Sequence, residues 1–269
     1  MQLIDIIGDR RKKADRRGMR HHPLARELAE ALELRRVDML FQPQFCSRTG
    51  AMTGAEALVR WAHPQFGEIA GDSLFEIAGM SGLAEKLSAF VFEEALHEAA
   101  SWPEHLRLSL NVTPADLAGP DFVPRLMQAK ADAGVAPSRV TLEITEQSLF
   151  DQLDKASVLL EQLVSRGVKV ALDDFGAGFC NFRYLKVLPL HYLKLDRIMV
   201  DGITRDGRDL EVLRGIIAMA HALDLDVIAE GIETEQQREA VVREGCAGWQ
   251  GYLGAKPMRA SDFAGLLGR

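Results

Sequence analysis

The stretch VKVALDDFGAGF, Val168 to Phe179, decides how this chain is read. Val168–Leu172, apolar but for Lys169, read as a buried strand, and Asp173 and Asp174 follow with Gly176 and Gly178 close behind. Two carboxylates ~5 Å apart repel by ~3 kcal/mol at an effective dielectric of ~20. One aspartate suffices for a solvated turn. A pair where a core strand ends is either splayed into water or held by a counter-charge, and the other strands decide which.

Working outward, strand-like and helix-like runs alternate on both sides. Residues 37–45 and 50–61 are apolar, strand-like and separated by the turn signal SRTG, which predicts a hairpin. A helical run at 83–102 is followed by a strand at 106–112, a helix at 121–134, a strand at 139–146 and a helix at 152–167. Beyond the aspartate pair come a strand at 191–196, a helix at 208–224, a strand at 225–233 and a helix at 234–245. A short strand at 247–252 and a closing helix near 260–268 complete the pattern. This alternation predicts a (β/α)8-type barrel. The opening hairpin departs from it, because two strands joined by a short turn run antiparallel. A doubly wound open sheet is the alternative, and no GxGxxG after a strand supports it.

The polar residues at the expected strand ends are Gln42, Glu56, Asn111, Glu143, Asp173, Lys194, Glu230 and Gln250, with Glu146, Asp174, Asp196 and Glu233 close behind. In a barrel these ends converge on one face. Carboxylates so dense need cations, since unpaired like charges in a cleft would otherwise take up protons. Oxygen donors without a His or Cys set favour Mg2+ or Mn2+ over zinc or copper. An aspartate able to bridge two ions, beside a second aspartate, suits a two-metal site acting on a phosphoryl centre.

Composition narrows the class. The net charge of −7 argues against a sequence-blind binder of nucleic-acid polymers. Three widely spaced cysteines, Cys46, Cys180 and Cys246, without a CxxC, suit a reducing cytoplasm. No apolar run is long enough for a membrane span. Residues 10–20 carry seven Lys/Arg, so residues 1–22 read as a basic tail or linker, with an anionic lipid or nucleic-acid surface as the minority reading. The folded domain is expected over 23–269.

The motifs FQPQF, EALVRW, NVT, EITE, DDFGAGF, LKLD, AEGIE and QGY, with KP after it, occur in that order over roughly residues 24–267. This ordered set resembles the EAL-domain cyclic di-GMP phosphodiesterases. The resemblance implies a TIM-like (β/α)8 barrel with one antiparallel strand, and hydrolysis of cyclic di-GMP to linear 5'-pGpG. It implies Glu56, Asn111, Glu143 and Asp173 as ligands of a first ion, Asp173 as the bridge, and Asp174 on a second ion with Glu230 close to it. Lys194, with Glu56 and Glu230, is implied in catalysis; Lys194 resembles the lysine that orients the attacking water. Gln42, Val59 and Arg60 match positions that hold the dinucleotide, to which Glu56, Asn111, Asp196, Glu233 and Gln250 are added, and Glu146 resembles a loop anchor. Calcium, which prefers longer bonds and higher coordination, is expected to inhibit.

The family pattern is broken after the aspartates. Ala177 stands for a threonine, Phe179 for a tyrosine, and Cys180, Asn181 and Phe182 for Ser-Ser-Leu, while Met199 stands where a phenylalanine is common. That loop is associated in the family with homodimer contacts and control of activity. A cyclic di-GMP receptor without useful turnover is therefore the second reading. A metal-dependent barrel nuclease is the third, and the folded region lacks the basic, aromatic strip it would need.

Overall fold

A computed structural model describes residues 23–149, 153–178 and 182–267. The basic stretch 1–22, and Phe179, Cys180 and Asn181 of the divergent loop, lie outside the described residues.

The described residues open with α1 (Pro23–Glu33), whose Leu24, Leu28 and Leu32 recur every fourth residue and are all buried. Fully burying each such side chain contributes roughly 1.5–3 kcal/mol. β1 (Asp38–Cys46) and β2 (Met52–His63) form the expected hairpin, closed at Gly50, which sits at φ 69 and donates to Cys46 O at 2.9 Å. The short β3 (Gly67–Ala70) then pairs back onto the far half of β2. After α2 (Gly71–Ser81) and α3 (Ala84–Ala99) come β4 (Arg107–Val112), α4 (Pro114–Ala118) and α5 (Phe122–Ala133). β5 (Val140–Thr145) leads through a 3-10 turn, Glu146–Leu149, to α6 (Leu153–Val164) and β6 (Lys169–Phe175). α7 (Phe182–Val187), β7 (Tyr192–Leu195), α8 (Arg197–Asp201), α9 (Gly207–Ala222) and β8 (Asp226–Ala229) follow. α10 (Glu235–Glu244), β9 (Gly248–Gln250), β10 (Met258–Arg259) and α11 (Ala260–Leu267) complete the described residues.

Strands β1, β2, β4, β5, β6, β7, β8 and β9 close into a barrel, with β3 and β10 as short additions at its seam. β2 and β4 through β9 are parallel; β1 alone runs antiparallel to both of its barrel neighbours, β2 and β9. The TIM-like barrel with one reversed strand is therefore the observed fold. Val140–Ile144 are buried on both faces, Thr141 and Glu143 included, and Val168–Leu172 are buried apart from the half-buried Lys169. Among the described residues no helix is long and apolar enough to cross a membrane.

One expectation about the strands is corrected. Gln42 and Glu56 do not lie at strand ends: they face each other in mid-hairpin, and Glu56 is level with Ser109 of β4. β2 runs on to His63 because β3 covers its extension, and the reversal of β1 points its carboxyl end at the opposite face of the barrel. Gln42 reaches the functional face through register with Glu56.

Candidate active site

At the top of β6 the pairing with β7 slips. Leu172 partners Leu193 and Phe175 partners Leu195, so Asp173 and Asp174 together oppose the single residue Lys194. An extra residue of this kind bends the strand and re-aims side chains. Here Asp174 adopts φ 55, a left-handed conformation that aspartate tolerates better than most residues at some local cost. Asp173 points into the barrel and is buried, its Oδ1 accepting from Asp174 N at 2.9 Å, whereas Asp174 faces the mouth. The adjacent aspartates are thus neither stacked nor simply splayed; the bulge brings both to the level of a buried ammonium.

That ammonium is the centre of the site. Lys194 is 0% exposed, and its Nζ lies 2.6 Å from Glu143 Oε2, 2.8 Å from Glu230 Oε1, 3.1 Å from Asp173 Oδ2 and 3.7 Å from Glu56 Oε2. An ammonium has three donors, so four carboxylates share too few protons. Glu56 is the best served of them. Asn111 Nδ2 donates to its Oε1 at 2.8 Å and Gln250 Nε2 to its Oε2 at 2.7 Å, and Gln250 Nε2 also lies 3.2 Å from Gln42 Oε1. Glu143 Oε1 and Gln250 Oε1 are buried without a hydrogen-bond partner; Glu230 Oε1 touches the ammonium outside hydrogen-bonding geometry.

The electrostatics follow. Burial pushes the carboxyl of Glu143 up to about 8, with Glu56 and Asp173 adding to the rise against the pull of Lys194. Burial likewise raises Asp173, and raises Glu230 well above the carboxylate range. For Glu56 burial acts upward too, but Lys194 and the bonds from Gln250 and Asn111 outweigh it and hold the group low. The Lys194 ammonium is kept charged well above its usual range: burial opposes the charge, and Asp173, Glu143, Glu230 and Glu56 overcome it. Asp174 presents one edge to solvent and the other to the cluster, and partial burial with the Asp173 charge raises it to about 6.

Two groupings of carboxylates are close enough to ligate cations: Glu56, Glu143 and Asp173, and Asp173, Asp174 and Glu230. Asp173 belongs to both. With every group ionised, five carboxylates against one ammonium leave a formal −4, and orphaned oxygens point into the cluster. This donor set fits hard divalent cations.

The other expected residues are more dispersed. Arg60 Nη1 donates to Val59 O at 2.8 Å and its Nε lies 3.8 Å from Glu68 Oε1, while the Val59 side chain is buried. Asp196 caps α8 by accepting from Ile198 N at 2.8 Å. Glu233 is exposed and pairs with Arg197, Nη1 to Oε1 at 2.9 Å. Glu146 opens the 3-10 turn after β5, and Met199 packs over Gly176, which turns the chain at φ 102. Two contributors escaped sequence reading. Gln44 forms a second polar layer beneath the cluster with Ser109, at 3.4 Å. Arg197 stands directly after LKLD, a position that could have drawn notice.

A model of the EAL domain matches residues 25–257. The chain is 34% identical over 244 residues to the bifunctional diguanylate cyclase/cyclic di-GMP phosphodiesterase MucR of Pseudomonas aeruginosa, covering 89% of this chain and 36% of that protein. It is 36% identical over 236 residues to the cyclic di-GMP phosphodiesterase NbdA of the same organism, covering 86% and 30%. It therefore spans about a third of the length of these relatives. The solved MucR phosphodiesterase in complex with c-di-GMP superposes with a TM-score of 0.84 at 34% identity, covering 90% of this chain and 100% of that one. On the matched residues, the barrel and these likenesses together, the chain belongs to the EAL-domain family.

Proposed function

We propose that this domain is a phosphodiesterase that hydrolyses one phosphodiester of cyclic di-GMP, giving linear 5'-pGpG and lowering the level of a cytoplasmic second messenger. The observation that carries this reading is the pair of acidic groupings sharing Asp173 around the buried Lys194. Glu56, Asn111, Glu143 and Asp173 would hold a first Mg2+ or Mn2+, and Asp173, Asp174 and Glu230 a second. When bound, such ions neutralise the carboxylates, acidify a water and polarise the phosphoryl oxygens.

The residues of the chain supply the rest. Lys194 offers its N–H donors to the attacking water and to the charge that grows on the phosphoryl group. Glu56 and Glu230 flank that ammonium and keep it charged. Gln250 fixes the carboxylate of Glu56 and is itself held by Gln42 from the hairpin. Arg60 has a planar fork suited to a phosphate or a guanine edge, presented beside the backbone of Val59. Asp196 and Glu233 line the mouth beyond β7 and β8, and Glu146 anchors the loop after Asp174. A second copy of the chain is the proposed partner, meeting near the divergent loop, where Phe182 and Ile198 expose 58% and 66% of their surface.

The test is an assay of cyclic di-GMP with product separation, run without metal and with Mg2+, Mn2+ or Ca2+. Formation of pGpG with Mg2+ or Mn2+, suppressed by Ca2+, supports the enzyme. Tight binding without product supports a receptor, and the absence of both binding and product overturns the phosphodiesterase reading.

A further inference from the structure

The loop after β8 carries Glu230 and Glu233, and it is gripped from the side by a residue outside the acidic cluster. Arg197 begins α8, and its stem lies against Gly231. A Cβ at Gly231 would come within 2.6 Å of both Cβ and Cγ of Arg197, and Gly231 also sits at φ 67. Glycine is needed there on both counts. The guanidinium divides its contacts, with Nη1 2.9 Å from Glu233 Oε1 and Nε 3.4 Å from Asp201 Oδ2. The backbone of the loop is tied separately: Glu230 N donates to Leu195 O at 3.0 Å, Ile232 N to Gln250 O at 3.1 Å and Glu233 N to Gln237 Oε1 at 2.9 Å.

We propose that Arg197 is a positioning residue that locks the loop Glu230–Glu233 onto the loop after β7, fixing the direction of the Glu233 carboxylate and the seat of Glu230. The inference rests on the phosphodiesterase reading of the site. With side chains 54% and 40% exposed, the Arg197–Glu233 pair adds little to global stability. Its consequence is orientation, to which catalysis is more sensitive than folding. It also links two strands of the cluster, since Lys194 lies in β7 three residues before Arg197 while Glu230 follows β8 directly.

Arg197→Met keeps the stem over Gly231 and removes the guanidinium; Arg197→Lys keeps a charge without the fork. In the Met variant kcat for cyclic di-GMP should fall by roughly 3- to 5-fold, the size of an exposed charge pair, with KM nearly unchanged. Lys should restore part of the loss, and the melting temperature should not move. Amide exchange at residues 231–233 of the metal-free Met variant should quicken by a similar factor. In a Glu233→Gln background, Arg197→Met should cost nothing further; an equal additional loss would mean that Arg197 acts elsewhere and would overturn the proposal. Unchanged exchange at 231–233 would overturn it as well. If the wild type hydrolyses no cyclic di-GMP, the phosphodiesterase reading falls by itself, and the exchange measurement still decides whether Arg197 locks the loop.

Discussion

The two acidic groupings share Asp173 yet differ in how they are held. Glu56, Glu143 and Asp173 are buried on the strands β2, β5 and β6, and Asn111 and Gln250 brace Glu56. Asp174 and Glu230 sit one step further out, Asp174 on a bulge in left-handed conformation and Glu230 in the loop after β8. The inner grouping is buried and desolvated, so its charge must be neutralised. The outer one is set by loop geometry and can be tuned. On the proposed two-ion reading, rate control would belong in the outer grouping and chemistry would depend on both.

Asp173→Asn breaks the comparison at its shared member. Hydrolysis should fall by at least ~10^3-fold, the scale of losing metal-borne charge stabilisation. Because burial raises the carboxyl of Asp173, the neutral variant should melt no lower than the wild type when both are metal-free. Near-normal turnover at saturating Mg2+ would show that Asp173 does not serve both groupings.

Lys194→Met removes the counter-charge of the inner grouping. Breaking a buried pair costs about 3–5 kcal/mol when one partner is left unpaired, so the metal-free variant should melt well below the wild type. Saturating Mg2+ should recover much of that stability, while turnover stays down by roughly 10^2-fold. Recovery of both together would make Lys194 a purely structural cation.

The inner grouping also predicts a pH response. The carboxyl of Glu143 stands at 4.5 in the unfolded chain and is pushed up to about 8 in the metal-free fold, first by burial. Between those values the folded state binds more protons, so its stability contribution is full below pH 4.5 and is lost as pH rises towards about 8. Cation binding requires the carboxylate, so the stabilisation that Mg2+ confers should grow across the same window. Thermal melts with and without Mg2+ from pH 5 to 8.5 read this directly; parallel curves would contradict it.

Much of this was legible in the sequence. The alternation of runs predicted the barrel, and the hairpin at SRTG predicted one reversed strand. The acidic residues at strand ends predicted a convergent cluster, and Glu143, Asp173, Lys194 and Glu230 do converge. What stayed hidden depends on pairing across strands. No local signal shows that Asp173 and Asp174 share one partner position on β7, or that Gln42 arrives by register and not by position in its strand. The role of Lys194 as counter-ion to four carboxylates follows only when four separate strands are brought together. The contacts of Arg197 carry no local signal, since those with Gly231 and Glu233 form only when the loops after β7 and β8 meet.

The smallest expected effect lies in the divergent loop. Ala177 N donates to Asp174 O at 3.2 Å, and the Ala177 side chain is exposed without a hydroxyl. A hydrogen bond added by Ala177→Thr contributes about 0.5–1.5 kcal/mol, towards the lower end where water competes. Activity at low Mg2+ should rise by roughly 2- to 12-fold and converge with the wild type at saturation. Superimposable Mg2+ curves would show that this turn does not govern the outer grouping.

The most direct measurement is the number of Mn2+ ions bound per chain at equilibrium, by calorimetry or by resonance of the free ion, in the wild type and in Asp174→Asn. Two groupings sharing Asp173 predict two ions in the wild type, the second weaker, with only the weaker lost in Asp174→Asn. A single ion in the wild type, or two undiminished sites in the variant, would contradict the account.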